Sequence, residues 1–252
     1  MQIRSILASV LLLGLTAAAL AEPTSVTVHV IASDSKFIGT SIGGARVTIE
    51  DAQTGEVLAQ GITEGSTGDT ELIMRQPRER DASLITPDAA GFTATLQVAE
   101  PRRVRISAYG PLDFPDSANT VAATQWLLPG EAVDGLILEL LGLVVAIDDE
   151  PRLVRLQDGE AEVPVRATVM MMCGCPLTPD GIWDSNDFEV RAEFVRNGRV
   201  VATAPLGYAG EASTFEGSAS LTEVGGYQLR VVASQQGTGN AGLARAAVVV
   251  DR

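Results

Sequence analysis

The chain has 252 residues, with 32 acidic against 18 basic side chains and a formal net charge of −14. Acid outnumbers base in both halves, 17 to 8 over residues 22–141 and 15 to 9 over 142–252. That balance lacks the basic footprint that nucleic acid or an anionic membrane requires, and the length allows one large or two ordinary domains.

The first residues read MQIRSILASVLLLGLTAAALAEP. Arg4 gives a positive start, Ile6 to Leu15 an apolar run, and Ala19-Leu20-Ala21 a small-x-small cleavage signal. The pattern predicts a secretory signal peptide over residues 1–21, cut near Ala21-Glu22. Its apolar run is shorter than the ~20 residues a membrane span needs. A second apolar stretch, Leu136 to Ile147, carries Glu139 and is also too short. The mature chain is expected in the periplasm or outside the cell, with no membrane span.

Beyond the leader the hydrophobic period is two, not 3.6. Ser25 to Val30 alternates with Val26, Val28 and Val30 on one face, which places His29, the single histidine, on the solvent face. Gly43-Gly44-Ala45-Arg46-Val47-Thr48-Ile49 and Thr54-Gly55-Glu56-Val57-Leu58 follow. Phe92 to Leu96 and Arg103 to Ile106 are further alternating runs, separated by stretches at 64–90 and 110–130 that read as loops rich in Gly, Pro, Asp and Ser. An apolar strand then ends, and Asp148-Asp149-Glu150-Pro151 marks a polar boundary within Leu141 to Glu150. The segments at 43–49 and 54–58 resemble the start of a transthyretin-like (carboxypeptidase-regulatory-like) β-sandwich, although "TEGSTGDTELIM" lacks the aromatic such domains carry next.

The second half opens with its clearest strand, Glu162 to Val169, whose Val163, Val165, Ala167 and Val169 point inward. "MMMCGCP", Met170 to Pro176, comes next, followed by an acidic loop, Pro179 to Asp187. Phe188 to Phe194 and Arg199 to Ala202 flank Asn197-Gly198, a dipeptide that signals a two-residue hairpin because both turn positions need positive φ. Counting outward from that turn pairs Phe194 with Val201. Gly225-Gly226-Tyr227-Gln228-Leu229-Arg230-Val231-Val232-Ala233, then Gly239-Asn240 and Val248 to Val250, are similar to the last two strands of bacterial Ig-like domains. These patterns predict an all-β protein: a signal peptide (1–21), a transthyretin-like sandwich (22–141) and an Ig-like sandwich (142–252). Both resemblances imply fold and do not reach function.

The sulfur cluster is the one chemically unusual motif. Continuing the alternation keeps Met171, Cys173 and Cys175 on the inward face and turns Met170, Met172 and Gly174 outward, until Pro176 stops the strand. Three readings follow. The cysteines are buried filler or a fixed disulfide, as an exported setting favours. Or Cys173, Cys175, Met171 and Met172 form a soft-metal site for Cu(I), since closely spaced thiolates with thioether neighbours suit a soft ion. Or the pair exchanges disulfides, although no C-x-x-C is present. Trp183, eight residues past Cys175, could cover the sulfurs, with Asp180, Asp184 and Asp187 as a binding loop beside them.

Other chemistries are excluded. One histidine cannot make a blue-copper centre or a histidine-rich zinc site. Lys36 is the sole lysine, and no phosphate-cradling or nucleophile-turn motif occurs. The expectation is an exported, non-enzymatic binding or assembly protein of the cell envelope, partnered by another envelope or secreted protein. The alternative is a periplasmic Cu(I)-handling or thiol-redox accessory.

Overall fold

The computed structural model describes residues 21–77, 79–80, 82–149 and 153–252. The expected signal peptide lies outside them apart from Ala21, as do Glu150 and Pro151 of the expected boundary. No helix among the described residues is long and apolar enough to cross a membrane.

The protein is an all-β sandwich structure. Its first seven strands are β1 (Glu22–Ala32), β2 (Arg46–Asp51), β3 (Val57–Ile62), β4 (Phe92–Val98), β5 (Arg102–Gly110), β6 (Asn119–Leu127) and β7 (Val133–Leu140). They form two sheets, β4-β1-β7 and β3-β2-β5-β6. The others are β8 (Leu143–Ile147), β9 (Leu153–Arg155), β10 (Ala161–Met171), β11 (Phe188–Arg196), β12 (Arg199–Pro205), β13 (Gly207–Tyr208), β14 (Thr214–Leu221), β15 (Gly225–Gln235) and β16 (Ala241–Asp251). They form β13-β14-β10-β8 and β12-β11-β15-β16-β9. Most pairs are antiparallel; β1–β7 and β16–β9 are parallel.

Period-two alternation drives this architecture, because successive side chains leave a strand on opposite faces. Val26, Val28 and Val30 of β1 are fully buried, as are Val163, Ala167 and Val169 of β10 and Leu229, Val231 and Ala233 of β15. Opposite them, Val47 and Ile49 of β2 and Val104 and Ile106 of β5 close the first core. The buried residues of both halves join in one continuous apolar cluster. The chain passes between the two sandwiches at Leu141 and Gly142, so β8 occupies much of the stretch that reads as a polar boundary in the sequence.

Three further expectations are corrected. His29 is 6% exposed, not on a solvent face. Ile73, Ala89 and Ala90, from the described part of segment 64–91, join Ile31 and Phe37 in a second apolar cluster on the outer side of β1. His29 lies under it, its Nδ1 2.8 Å from the Ala90 carbonyl. Residues 110–130 are not all loop: β6 lies within them, paired with β5 along its whole length. Its Thr- and Ala-rich sequence hides it from a hydrophobicity count.

The Asn197-Gly198 turn forms as expected, with φ of 50° and 75°. The register beyond it does not. A bulge pairs Val195 with Val200 but Phe194 with Ala202, so Val201 is not opposite Phe194. Phe194 is buried, whereas Val200 and Val201 are both left half-exposed on an edge strand. The extra residue sends the two valines outward together, which strict alternation cannot do.

Candidate functional site

The sulfur cluster is a turn, not a strand end. β10 stops at Met171 and the chain reverses over four residues. The Gly174 N–H donates to the Met171 carbonyl (2.8 Å) and the Met171 N–H to the Cys175 carbonyl (3.1 Å). Gly174 takes φ 78°, the left-handed region that glycine enters without a Cβ clash. The reversal brings the Cys173 and Cys175 Cα atoms to 5.4 Å and the sulfurs into a disulfide. It also overturns the expected facing of Met172, which is fully buried like Met171. The local sequence does not force the turn here. What selects it is the surface that receives it.

That surface is the turn after β1, Ser33 to Lys36, in the first sandwich. Asp34 adopts φ 52°, a conformation Asp tolerates better than most residues. Four side chains of the second sandwich hold the turn. Ser35 Oγ lies 2.9 Å from Cys173 Sγ; a disulfide sulfur carries no proton, so the hydroxyl donates. The Trp183 indole N–H donates to the Asp34 carbonyl at 2.8 Å. Gln235 Nε2 donates to Asp34 Oδ2 at 2.6 Å. Asn240 Nδ2 donates to the Ser33 carbonyl at 3.1 Å, while its Oδ1 accepts the Gly142 N–H at 3.0 Å.

Apolar contacts complete the seat. A Cβ on Gly174 would stand 3.2 Å from Ile42 Cδ1, and one on Gly142 would stand 3.1 Å from Met172 Cε. Glycine at 174 therefore serves two ends, the reversal and the close approach to Ile42. Cys173 is 1% exposed, Cys175 6% and Trp183 7%. Trp183 and Cys173 meet the same turn of the first sandwich, through Asp34 and Ser35 respectively.

The far side of the junction is held more sparsely. Ser117 Oγ accepts the Val145 N–H at 3.0 Å and lies 3.1 Å from the Val145 carbonyl. Asn119 Nδ2 donates to the Leu141 carbonyl at 3.1 Å. A cleft of about 440 Å³ remains there between Phe114, Val145 and Ala244.

The acidic loop does not join the sulfurs. Asp180 and Asp187 are exposed, and Asp184 is spent locally, its Oδ1 accepting from the Asn186 N–H (2.9 Å) and amide (2.8 Å). No three His, Cys, Asp or Glu side chains converge on a metal-sized site among the described residues. Nor does the donor set at 171–175 fit Cu(I) as it stands. The thiolates a soft ion would use are bonded to each other and covered by the first sandwich. Thiol exchange meets the same cover.

No protein-family model matches the chain, and no curated protein matches it. Among solved structures the similarities are low. Fibronectin(III)-like modules of Clostridium thermocellum CbhA align at 12% identity over 92% of this chain and 90% of theirs, with a TM-score of 0.27. A DUF3823 family protein from Parabacteroides merdae aligns at 12% identity over 91% of this chain and 99% of its own, with a TM-score of 0.28. An engineered protein aligns at 18% identity over 49% of this chain, which spans only 24% of that protein, with a TM-score of 0.28. Values this low carry no argument, and the fold rests on the strand pairings themselves.

Proposed function

We propose that this chain is an exported, non-enzymatic binding or assembly protein of the cell envelope, in which two β-sandwiches act as one rigid unit. The observation that carries this reading is the junction. Four side chains of the second sandwich converge on one turn of the first, and the apolar core runs through the contact. A fixed angle between modules is what a spacer or an assembly subunit needs, because it presents distant surfaces in constant geometry. The sulfur turn is then a structural plug. The oxidising compartment that the leader sequence implies keeps its disulfide closed.

Crosslinking of the exported chain in envelope preparations tests the reading. The expected result is a discrete adduct with one partner, formed equally by the wild type and by a Cys173→Ser variant. Recovery of monomer alone, or loss of the adduct together with Cu(I) binding in the Cys173→Ser variant, overturns it.

A further inference from the structure

The outer face of the sheet β3-β2-β5-β6 is the least explained surface of the molecule. Its inner side chains, such as Val47, Ile49, Val104 and Ile106, are buried, so the alternate positions all point to solvent. Strand register places them in rows. At one end Trp126 of β6 stands beside Arg103 of β5. The next row sets Arg105 next to Glu50 of β2, and the last sets Tyr109 next to Arg46. Between these lies an uncharged row, in which Ser107 faces Thr48 and Thr48 faces Gln60, whose Nε2 donates to Thr48 Oγ1 at 2.9 Å.

Three properties of this face point to one kind of partner. First, Trp126 is 55% exposed, the largest apolar side chain so left. Among the described residues no guanidinium covers its ring, whereas Arg46 lies 5.7 Å from the centroid of Tyr109. An open indole offers a flat apolar surface with one polar edge. Second, the face carries three arginines against one acid, in a chain whose net charge is −14. Arg103 makes no ion pair among the described residues, and Arg105 reaches Glu50 only at 3.7 Å. Free guanidinium forks match carboxylates with two parallel hydrogen bonds. Third, the hydroxyl and amide row gives a flat floor rich in donors and acceptors. From the Trp126 row to the Tyr109 row is six residues of strand, about 20 Å.

We propose that this face binds an acidic polysaccharide, with sugar rings stacked on Trp126, carboxylates on Arg103 and Arg105, and hydroxyls on the Ser107–Thr48–Gln60 row. The inference rests on the reading of the chain as a binding module and gives that module a ligand class. A carboxylated glycan fits better than nucleic acid or a lipid surface, because its sugar rings stack on an indole face while its planar carboxylates accept paired hydrogen bonds from a guanidinium.

Titration calorimetry of the mature chain with oligogalacturonate at low salt is the test. Methyl-esterified oligogalacturonate, a neutral β-glucan, single-stranded DNA and phosphatidylglycerol vesicles serve as the other arms. Binding is expected to the unesterified oligomer alone. Trp126→Ala and Arg103→Gln should each weaken it at least tenfold, and neither should move the thermal unfolding transition, since both side chains are exposed. Absence of binding by the wild type, equal binding of any other arm, or unchanged affinity in Trp126→Ala overturns the proposal. If the envelope adduct persists in Trp126→Ala while oligogalacturonate does not bind the wild type, this surface falls and the binding-module reading stands.

Discussion

Two glycine-bearing turns of the second sandwich behave as opposites. Asn197-Gly198 joins β11 to β12 at a free end, and a Cβ on Gly198 would meet nothing within 4 Å. Met172 to Cys175 follows β10 and is pressed into the first sandwich, where a Cβ on Gly174 would reach Ile42. The first turn is determined by its own two residues. The second is determined by what it docks against, so damage there should spread across both sandwiches, while damage at the hairpin should stay local.

The largest effect is expected at the docked turn's neighbour. Trp183→Ala removes a buried aromatic and its hydrogen bond to the Asp34 carbonyl, and urea unfolding should register a loss of about 3–5 kcal/mol. If the turns differ as described, the variant should also separate the unfolding of the two sandwiches. Cutting the disulfide comes next. For so short a loop the chain-entropy relation gives only about 1–2 kcal/mol, so a Cys173→Ser, Cys175→Ser double variant should remain folded, with a modestly lowered urea midpoint. Gly198→Ala should cost about 1 kcal/mol, because alanine resists φ 75°. Its unfolding should keep the same cooperativity as the wild type, which is the contrast the comparison demands.

These two turns also mark how far the sequence could be read. Asn-Gly between alternating runs is a local signal, and the turn followed from it. The all-β class and the buried faces of β1, β10 and β15 were visible for the same reason: period-two patterns record burial directly. A Cys173–Cys175 disulfide is one of the readings the sequence supports, and it forms; but Met-Cys-Gly-Cys continues an alternating strand equally well, and the contacts with Ile42 and Ser35 that seat the turn were not legible. His29 failed similarly, since the segment covering it lies more than thirty residues away in the chain. Trp126 does not stand out in the sequence because β6 lacks a hydrophobic stripe. The hydrogen bond of Trp183 to the Asp34 carbonyl, an inter-sandwich contact, leaves no mark in the sequence around either residue.

A third turn sharpens the comparison through charge. After β2 the chain turns at Asp51 to Gly55. The Arg102 guanidinium, then the Thr54 and Gln53 N–H groups, hold the Asp51 carboxyl well below the ordinary carboxylate range. A depressed folded value means the ionised form stabilises the fold above the unfolded value of ~3.9. That contribution is lost as pH falls toward the folded value. Acid unfolding of Asp51→Asn should therefore show a smaller loss of stability below about pH 4 than the wild type, while reductant should leave this turn unaffected. The change is the smallest of the set and is best followed by urea midpoints across pH.

Scanning calorimetry of the wild type and of Trp183→Ala tests the junction most directly. A sulfur turn that plugs the two sandwiches into one body gives a single wild-type transition whose calorimetric and van't Hoff enthalpies agree, resolved into two transitions in the variant. Two independent wild-type transitions, or a variant that still melts as one, would contradict it.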